Sequence, residues 1–215
     1  MGIFSYEMPN RQLANRMVQT RSGVNLQKFK EGVASERDQQ KVADAIRGMK
    51  EIDIYTNHTH NTIDKLKAMA RQWKRKHDVS LLFVDYLQLM AWSLPNASEK
   101  ANIDNNSRNL KALALELDIP IVVLAQIGYS ARRRIIEHPE GGLYESDLMG
   151  SSNISNDADN VLMFWAENGE ADKSREIDEL GRPYMALKAS FVKQRESVRD
   201  KRFDLRFRET SGRFE

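Results

Sequence analysis

Short apolar runs alternate with helical patterns along most of the chain, the rhythm of an α/β domain built on a mostly parallel sheet. Met1 to Ser5 predicts a first strand. Leu13, Ala14, Met17 and Val18 then mark one face of a helix that begins near Pro9, a residue favoured in a first helical turn. Ser35 to Met49 predicts a polar surface helix, and Ile52-Asp53-Ile54-Tyr55 a strand after it. Ile63, Leu66, Ala70 and Trp73 recur at steps of three and four, with Asn61 or Thr62 placed to cap the helix start. Leu81-Leu82-Phe83-Val84 is a continuous apolar run, as expected of a strand buried on both faces.

Ile103, Leu110, Leu113, Ala114 and Leu117 form the stripe of a further helix, and Pro120 introduces a second apolar strand, Ile121 to Ala125. From Ile127 to about Asp159 runs a polar, glycine-containing stretch, too long for an ordinary connection and therefore expected to be functional. Val161 to Trp165 predicts another strand and residues 167–183 a charged loop. Tyr184–Lys193 and Val198–Arg208 alternate enough to predict an antiparallel pair. No repeat or linker interrupts this order, so one domain over residues 1–215 is the simplest reading.

Composition narrows the partners. Charged residues make up 30% of the chain and apolar ones 40%, the balance of a globular protein rather than a disordered or membrane-embedded one. The formal net charge of +2 carries no bulk attraction for nucleic acid, so any DNA contact needs a local basic patch. The basic run Arg71 to His77 is one candidate, but cations complementing the carboxyl end of a helix dipole explain it better. The absence of cysteine excludes disulfides and thiolate metal sites and suits a reducing cytoplasm. His58 and His60 have no third ligand at a metal-binding spacing. Met1-Gly2 resembles a myristoylation start but has Tyr6 where Ser or Thr is required. No signal peptide and no run of about 18 apolar residues is present, so a cytoplasmic location without a membrane partner is expected.

Chemistry concentrates first at Phe83-Val84-Asp85, an apolar strand ending in a carboxylate. In nucleotide-hydrolysing α/β proteins such an acid sits at the carboxyl edge of the sheet and holds Mg²⁺. The residues that follow are more specific: Asp85-Tyr86-Leu87-Gln88-Leu89-Met90 resembles the Walker B segment of DnaB-type replicative helicases nearly letter for letter. Ile3-Phe4-Ser5-Tyr6-Glu7-Met8-Pro9 is similar to that family's strand ending in Ser-Leu-Glu-Met. Arg108–Ala114 and Asp118–Val122 resemble the helix and strand after Walker B, and Ala125-Gln126 its Ser-Gln sensor. Ser146-Asp147-Leu148, Asp157-Ala158-Asp159, Lys193-Gln194-Arg195 and Arg213-Phe214 continue the match in family order over nearly the whole chain.

The resemblance implies a RecA-like P-loop NTPase core: an α/β fold with a mostly parallel sheet flanked by helices and C-terminal antiparallel strands. It implies ATP-driven 5′-to-3′ translocation on single-stranded DNA, with ATP and Mg²⁺ as cofactors. By resemblance Glu7 polarises the attacking water, Asp85 holds Mg²⁺ through water, and Gln126 senses the γ-phosphate. Lys193 and Arg195 resemble residues that reach a neighbouring subunit's nucleotide, which implies a hexameric ring. Arg132, Arg133, Arg134 and Ser151 are the candidate DNA contacts, with Tyr129 or Tyr144 able to stack on a base; a solvated basic loop is the alternative. Met149-Gly150-Ser151-Ser152 stands where the family usually has Arg-Glu-Ser-Gly, which removes two charged DNA-contact positions.

One part of the family's machinery is missing from these residues. A phosphate-binding loop needs glycine-rich backbone followed by Lys-Ser or Lys-Thr. No Gly-Lys pair occurs here, and the sole Lys-Ser, Lys173-Ser174, follows Asp172 in a charged stretch. The first strand and phosphate loop of the fold are therefore expected to be absent. The chain alone is then expected to have little or no ATPase activity, and its partner is expected to be a companion polypeptide carrying the loop, or further copies of itself in the homo-oligomeric ring that the resemblance implies. The alternative is a non-catalytic decoy that docks onto intact helicase subunits or binds DNA without hydrolysis. A recombinase of the same superfamily is disfavoured by the Asp85–Met90 and Lys193–Arg195 segments.

Overall fold

A computed structural model describes residues 1–59, 61–150, 152–195 and 201–215. Four parallel strands form the first sheet: β1 (Gly2–Ser5), β2 (Tyr55–Asn57), β3 (Leu82–Asp85) and β4 (Ile121–Val123), in the order β2-β1-β3-β4. Around it lie α1 (Asn10–Ser22), the single turn α2 (Gln27–Lys30), α3 (Glu36–Met49), α4 (Ile63–His77) and α5 (Glu99–Leu117). The rest of the chain adds α6 (Tyr129–Glu137), α7 (Asn153–Asp157) and an antiparallel sheet of β5 (Asn160–Ala166), β6 (Arg175–Ile177), β7 (Pro183–Gln194), β8 (Lys201–Arg208) and β9 (Arg213–Phe214). This is the α/β architecture read from the sequence: a parallel sheet flanked by helices, followed by antiparallel strands.

β1 is buried along its whole length because it is a central strand covered on both faces. Phe4 is fully buried and stacks on Trp73 of α4, with ring centroids 4.8 Å apart. Gly2 lies beneath the same helix: a Cβ there would come within 2.6 Å of both Leu82 and Trp73. The stripe read for α4 faces inward, with Ile63, Leu66, Ala70 and Trp73 all buried. Thr62 occupies the N-cap position, although its side chain makes no capping bond. α3 starts as its sequence suggests, through a capping box in which Ser35 accepts from the Asp38 amide. The basic end of α4 is engaged within the fold: Arg71 pairs with Glu116 of α5 at 2.6 Å and His77 stacks on Tyr55.

Several expected boundaries move. The strand read at Ile52–Tyr55 forms at Tyr55–Asn57, because the parallel register pairs those residues with Gly2–Phe4. The apolar run Ile121–Ala125 supplies only three strand residues, and β4 is a sheet edge with Val122 41% and Leu124 50% exposed. β5 does not join the parallel sheet; it pairs antiparallel with β7, burying Val161, Met163 and Trp165 while Leu162 and Phe164 face outward. The stretch from Ile127 to Asp159 is not a long loop. It contains α6, short 3₁₀ turns at Pro139–Gly141 and Glu145–Asp147, and α7. Residues 167–183 likewise hold a 3₁₀ turn and β6. The antiparallel pair is β7 with β8; His60, Ser151 and the residues 196–200 that include Val198 lie outside the described residues.

A second apolar cluster sits under the antiparallel sheet, where Ala131 and Ile135 of α6 and Leu143 meet Val161, Met163, Trp165 and Val192. The far end of that sheet is tied by Asp178. Its carboxylate accepts from the Leu180 and Arg182 amides and from Arg208 at 2.6 Å, which holds the Asp178 carboxyl far below the usual carboxylate range. A carboxyl depressed on folding stabilises the fold above its unfolded pKa of about 4, and that stabilisation is lost as the pH falls below it. Asp178→Asn is therefore expected to lower the melting temperature at pH 7. The gap to the unsubstituted chain should narrow below about pH 4, as thermal melts across that range would record.

Candidate functional site: the carboxyl edge of the parallel sheet

Three of the sequence-selected residues lie at or just beyond the carboxyl ends of neighbouring parallel strands. Ser5 ends β1 opposite Asp85 at the end of β3, the Tyr6 amide donates to the Asp85 carbonyl at 2.7 Å, and Glu7 follows. Gln126 lies three residues beyond β4, which pairs with β3. The carboxyl edge of a parallel sheet is where α/β proteins place ligands, because loops that leave it can vary while the strands fix their starting points. Burial pushes the Asp85 carboxyl up from its ordinary value, the nearby Glu7 charge adds to the shift, and Arg16 on α1 opposes it. Burial also pushes the Tyr6 hydroxyl up. The Asp85 carboxyl and the Glu7 charge that acts on it thus meet at this edge, oxygen donors of the class that divalent cations take. The Ser5 hydroxyl beneath it is buried and has no hydrogen-bond partner among the described residues.

Gln88, in the segment after Asp85, has a place that spacing alone did not reveal. Its side-chain oxygen accepts from the Gln126 amide at 3.2 Å and its nitrogen donates to the Met149 carbonyl at 2.9 Å. The Met149 amide donates in turn to the Gln126 carbonyl at 2.8 Å. The closed circuit joins the segment after Asp85, the segment at Gln126 and Met149, the first residue of the stretch that departs from the family's charged pair. The only signal in the sequence was membership of Gln88 in the Asp85–Met90 motif.

The candidate DNA contacts are placed on or near α6. Arg132 is exposed, and Arg133 pairs with Glu137 at 3.2 Å. Arg134 is a strut: it pairs with the buried Asp147 carboxylate and lies 4.9 Å from the centroid of the Tyr144 ring. That contact covers one face of Tyr144, whereas Tyr129, in the first turn of α6, is 82% exposed. Ser151 lies outside the described residues.

Lys193 and Arg195 are brought to a different place. Lys193 donates to the Ser155 and Asn156 carbonyls near the carboxyl end of α7. Arg195 pairs with Asp159 at 2.8 Å. Among the described residues no group of three or more His, Asp or Glu side chains is placed to hold a metal, and no helix is long and apolar enough to cross a membrane.

The whole chain, residues 1–215, matches the model of the DnaB-like helicase C terminal domain. It is 30% identical over 168 residues to the replicative DNA helicase DnaB of Rickettsia bellii, covering 78% of this chain and 33% of that protein. Against the DnaB of Mycobacterium intracellulare it is 31% identical over 162 residues, covering 75% of this chain and 27% of the relative. The chain thus spans about a third or less of the length of these two relatives. Among solved structures it resembles an ATPase domain with a TM-score of 0.85 and 26% identity, over 99% of this chain and 72% of that one. A DnaB-like replicative helicase studied for its interactions with primase is similar, with a TM-score of 0.84 and 25% identity over 99% of this chain and 49% of that one. Family model, ordered motifs and fold agree, and the chain belongs to the DnaB-like helicase C-terminal domain family.

Proposed function

We propose that the chain supplies the water-activating, metal-holding, sensing and trans-acting parts of a replicative DNA helicase motor, which moves 5′ to 3′ on single-stranded DNA at the expense of ATP. The observation that carries this reading is the row of Glu7, Asp85 and Gln126 at or just beyond the ends of three adjacent parallel strands, with the Glu7 charge acting on Asp85. Glu7 orients and polarises the attacking water. Asp85 positions the Mg²⁺ shell; when bound, Mg²⁺ neutralises charge on the β- and γ-phosphoryl oxygens. Gln126 contacts the γ-phosphate, and its circuit through Gln88 to Met149 links that contact to the DNA-facing stretch. Lys193 and Arg195 act on the nucleotide of a neighbouring subunit in a hexameric ring, and the phosphate-binding loop comes from polypeptide outside these 215 residues.

Two sheet edges support the last point. Among the described residues β4 pairs only with β3 and β5 only with β7, and both edge strands carry exposed apolar side chains, Val122 on β4 and Leu162 and Phe164 on β5. A strand and helix bearing the loop would satisfy edges of this kind; without them, edges recruit other chains. The same edges favour a second reading, a decoy that docks onto intact helicase subunits. Gel filtration with light scattering separates the outcomes. Alone, the chain is expected to self-associate; with a loop-bearing DnaB-like polypeptide it is expected to co-elute and add single-stranded-DNA-stimulated ATP turnover. Co-elution that suppresses the partner's turnover favours the decoy, and a monodisperse, cooperatively melting monomer that ignores the partner contradicts both.

A further inference from the structure

Lys193 lies one residue before the carboxyl end of β7 and Arg195 one residue beyond it. Both are held by one stretch of five residues, Ser155 to Asp159. The last ladder pair between β5 and β7 is Asn160 with Gln194, and the Arg195 amide extends it by donating to the Asp159 carbonyl at 3.2 Å. That register sets the Asp159 carboxylate beside the Arg195 guanidinium, at 2.8 Å. The other Asp159 oxygen is already committed: Lys111 of α5 donates to it at 2.6 Å. Asp159 is thereby clamped from the helix that packs beside the parallel sheet, and its carboxyl is held below the usual range, chiefly by Lys111. Lys193, meanwhile, is fixed by carbonyls near the end of α7, where a cation complements the helix dipole.

An ordinary surface ion pair joins two otherwise loose side chains. Here the carboxylate is oriented by a second cation from a different element, and the neighbouring cation of the same triplet is anchored to the same segment. We propose that Asp159, locked by Lys111, is a positioning residue for Arg195: it sets the direction in which the guanidinium leaves the subunit toward the neighbouring nucleotide. The role in catalysis rests on the helicase reading above; the positioning itself does not. A guanidinium that must meet developing charge on a transferred phosphoryl group works only within a narrow geometry, and a misplacement of about 1 Å costs on the order of a hundredfold.

The test has two readouts. In the isolated chain, phenylglyoxal labelling of Arg195, followed by mass spectrometry with Arg37 as exposed reference, is expected to quicken several-fold in Asp159→Asn, and less in Lys111→Met. The lysine variant leaves the β5–β7 backbone ladder untouched, so it keeps the test usable if Asp159→Asn does not fold. In mixed assemblies, the partner is a loop-bearing DnaB-like subunit whose own Lys-Gln-Arg triplet is replaced by alanines, so that turnover depends on this chain. There Asp159→Asn is expected to lower kcat about tenfold to a hundredfold with KM for ATP unchanged, and Asp159→Glu to recover part of the loss. Unchanged Arg195 labelling in both Asp159→Asn and Lys111→Met overturns the inference whatever the mixture does. Labelling that rises, in a mixture where even the unsubstituted chain adds no turnover, keeps the positioning and overturns the helicase reading instead.

Discussion

Supplied with Mg²⁺, ATP and single-stranded DNA, the chain by itself is expected to release no phosphate above background. Joined at Met1 to the strand, phosphate loop and helix of a DnaB-like relative, it is expected to turn ATP over. The difference follows from what grips a triphosphate. Charge-assisted hydrogen bonds from a loop lysine and successive backbone amides contribute roughly 1.5–3 kcal/mol each. Losing three of them forfeits at least about 4 kcal/mol, a thousandfold in affinity. The parts that remain cannot compensate. In the proposed site Asp85 would reach the nucleotide only through Mg²⁺ and water, and its own ionisation is opposed by burial and by Glu7. Glu7 can polarise a water, but a polarised water reacts only when the phosphorus is held in line with it, and that orientation can be worth ~7–11 kcal/mol of the barrier. Release of phosphate by the isolated chain at a rate comparable to the loop-bearing form would overturn the assignment of Glu7, Asp85 and Gln126 as a part of a site rather than a whole one. The measurement is steady-state phosphate release, with Glu7→Gln in both forms to exclude a contaminating ATPase.

The features legible in the sequence are those in which a local period coincides with a buried face. α4 was readable because Ile63, Leu66, Ala70 and Trp73 all point into the core. β5 was readable as a strand but not as a member of either sheet, because its outward face also carries apolar side chains, Leu162 and Phe164, and the run of five apolar residues hides its alternation. α6 was hidden for the opposite reason: only Ala131 and Ile135 are buried, and the arginine triplet between them dominates the pattern. Arg134 then finds its partner in Asp147, thirteen residues away, which no helical spacing predicts. In the candidate site, strand ends and ordered motifs located Glu7, Asp85 and Gln126. The connections among them were out of reach, since Gln88 meets Gln126 across 38 residues and Lys111 meets Asp159 across 48. Such contacts are set by how strands and helices stack, not by any pattern within one element.

Removal of Lys193 or Arg195, the cations proposed to act across a subunit interface, is expected to have the next largest effect. In the loop-bearing form, Arg195→Ala should reduce kcat by about 10³–10⁵, the range seen when an arginine finger is withdrawn from a phosphoryl-transfer site. Lys193→Ala should reduce it in the same direction. Neither change should weaken nucleotide binding to a subunit's own site, because both side chains are held against α7 and Asp159 of their own subunit rather than turned to the Glu7–Asp85 edge. Nor should either unfold the chain: Arg195 is over half exposed, and the ladder bond from its backbone amide survives the substitution. The decisive arrangement mixes Arg195→Ala subunits with Glu7→Gln subunits. Each preparation alone is expected to be inactive. If the guanidinium acts across the interface, the mixture regains turnover, since a site with an intact Glu7 can then meet an intact Arg195 from its neighbour. If Arg195 serves the site of its own chain, every site in the mixture lacks one or the other, and no activity returns.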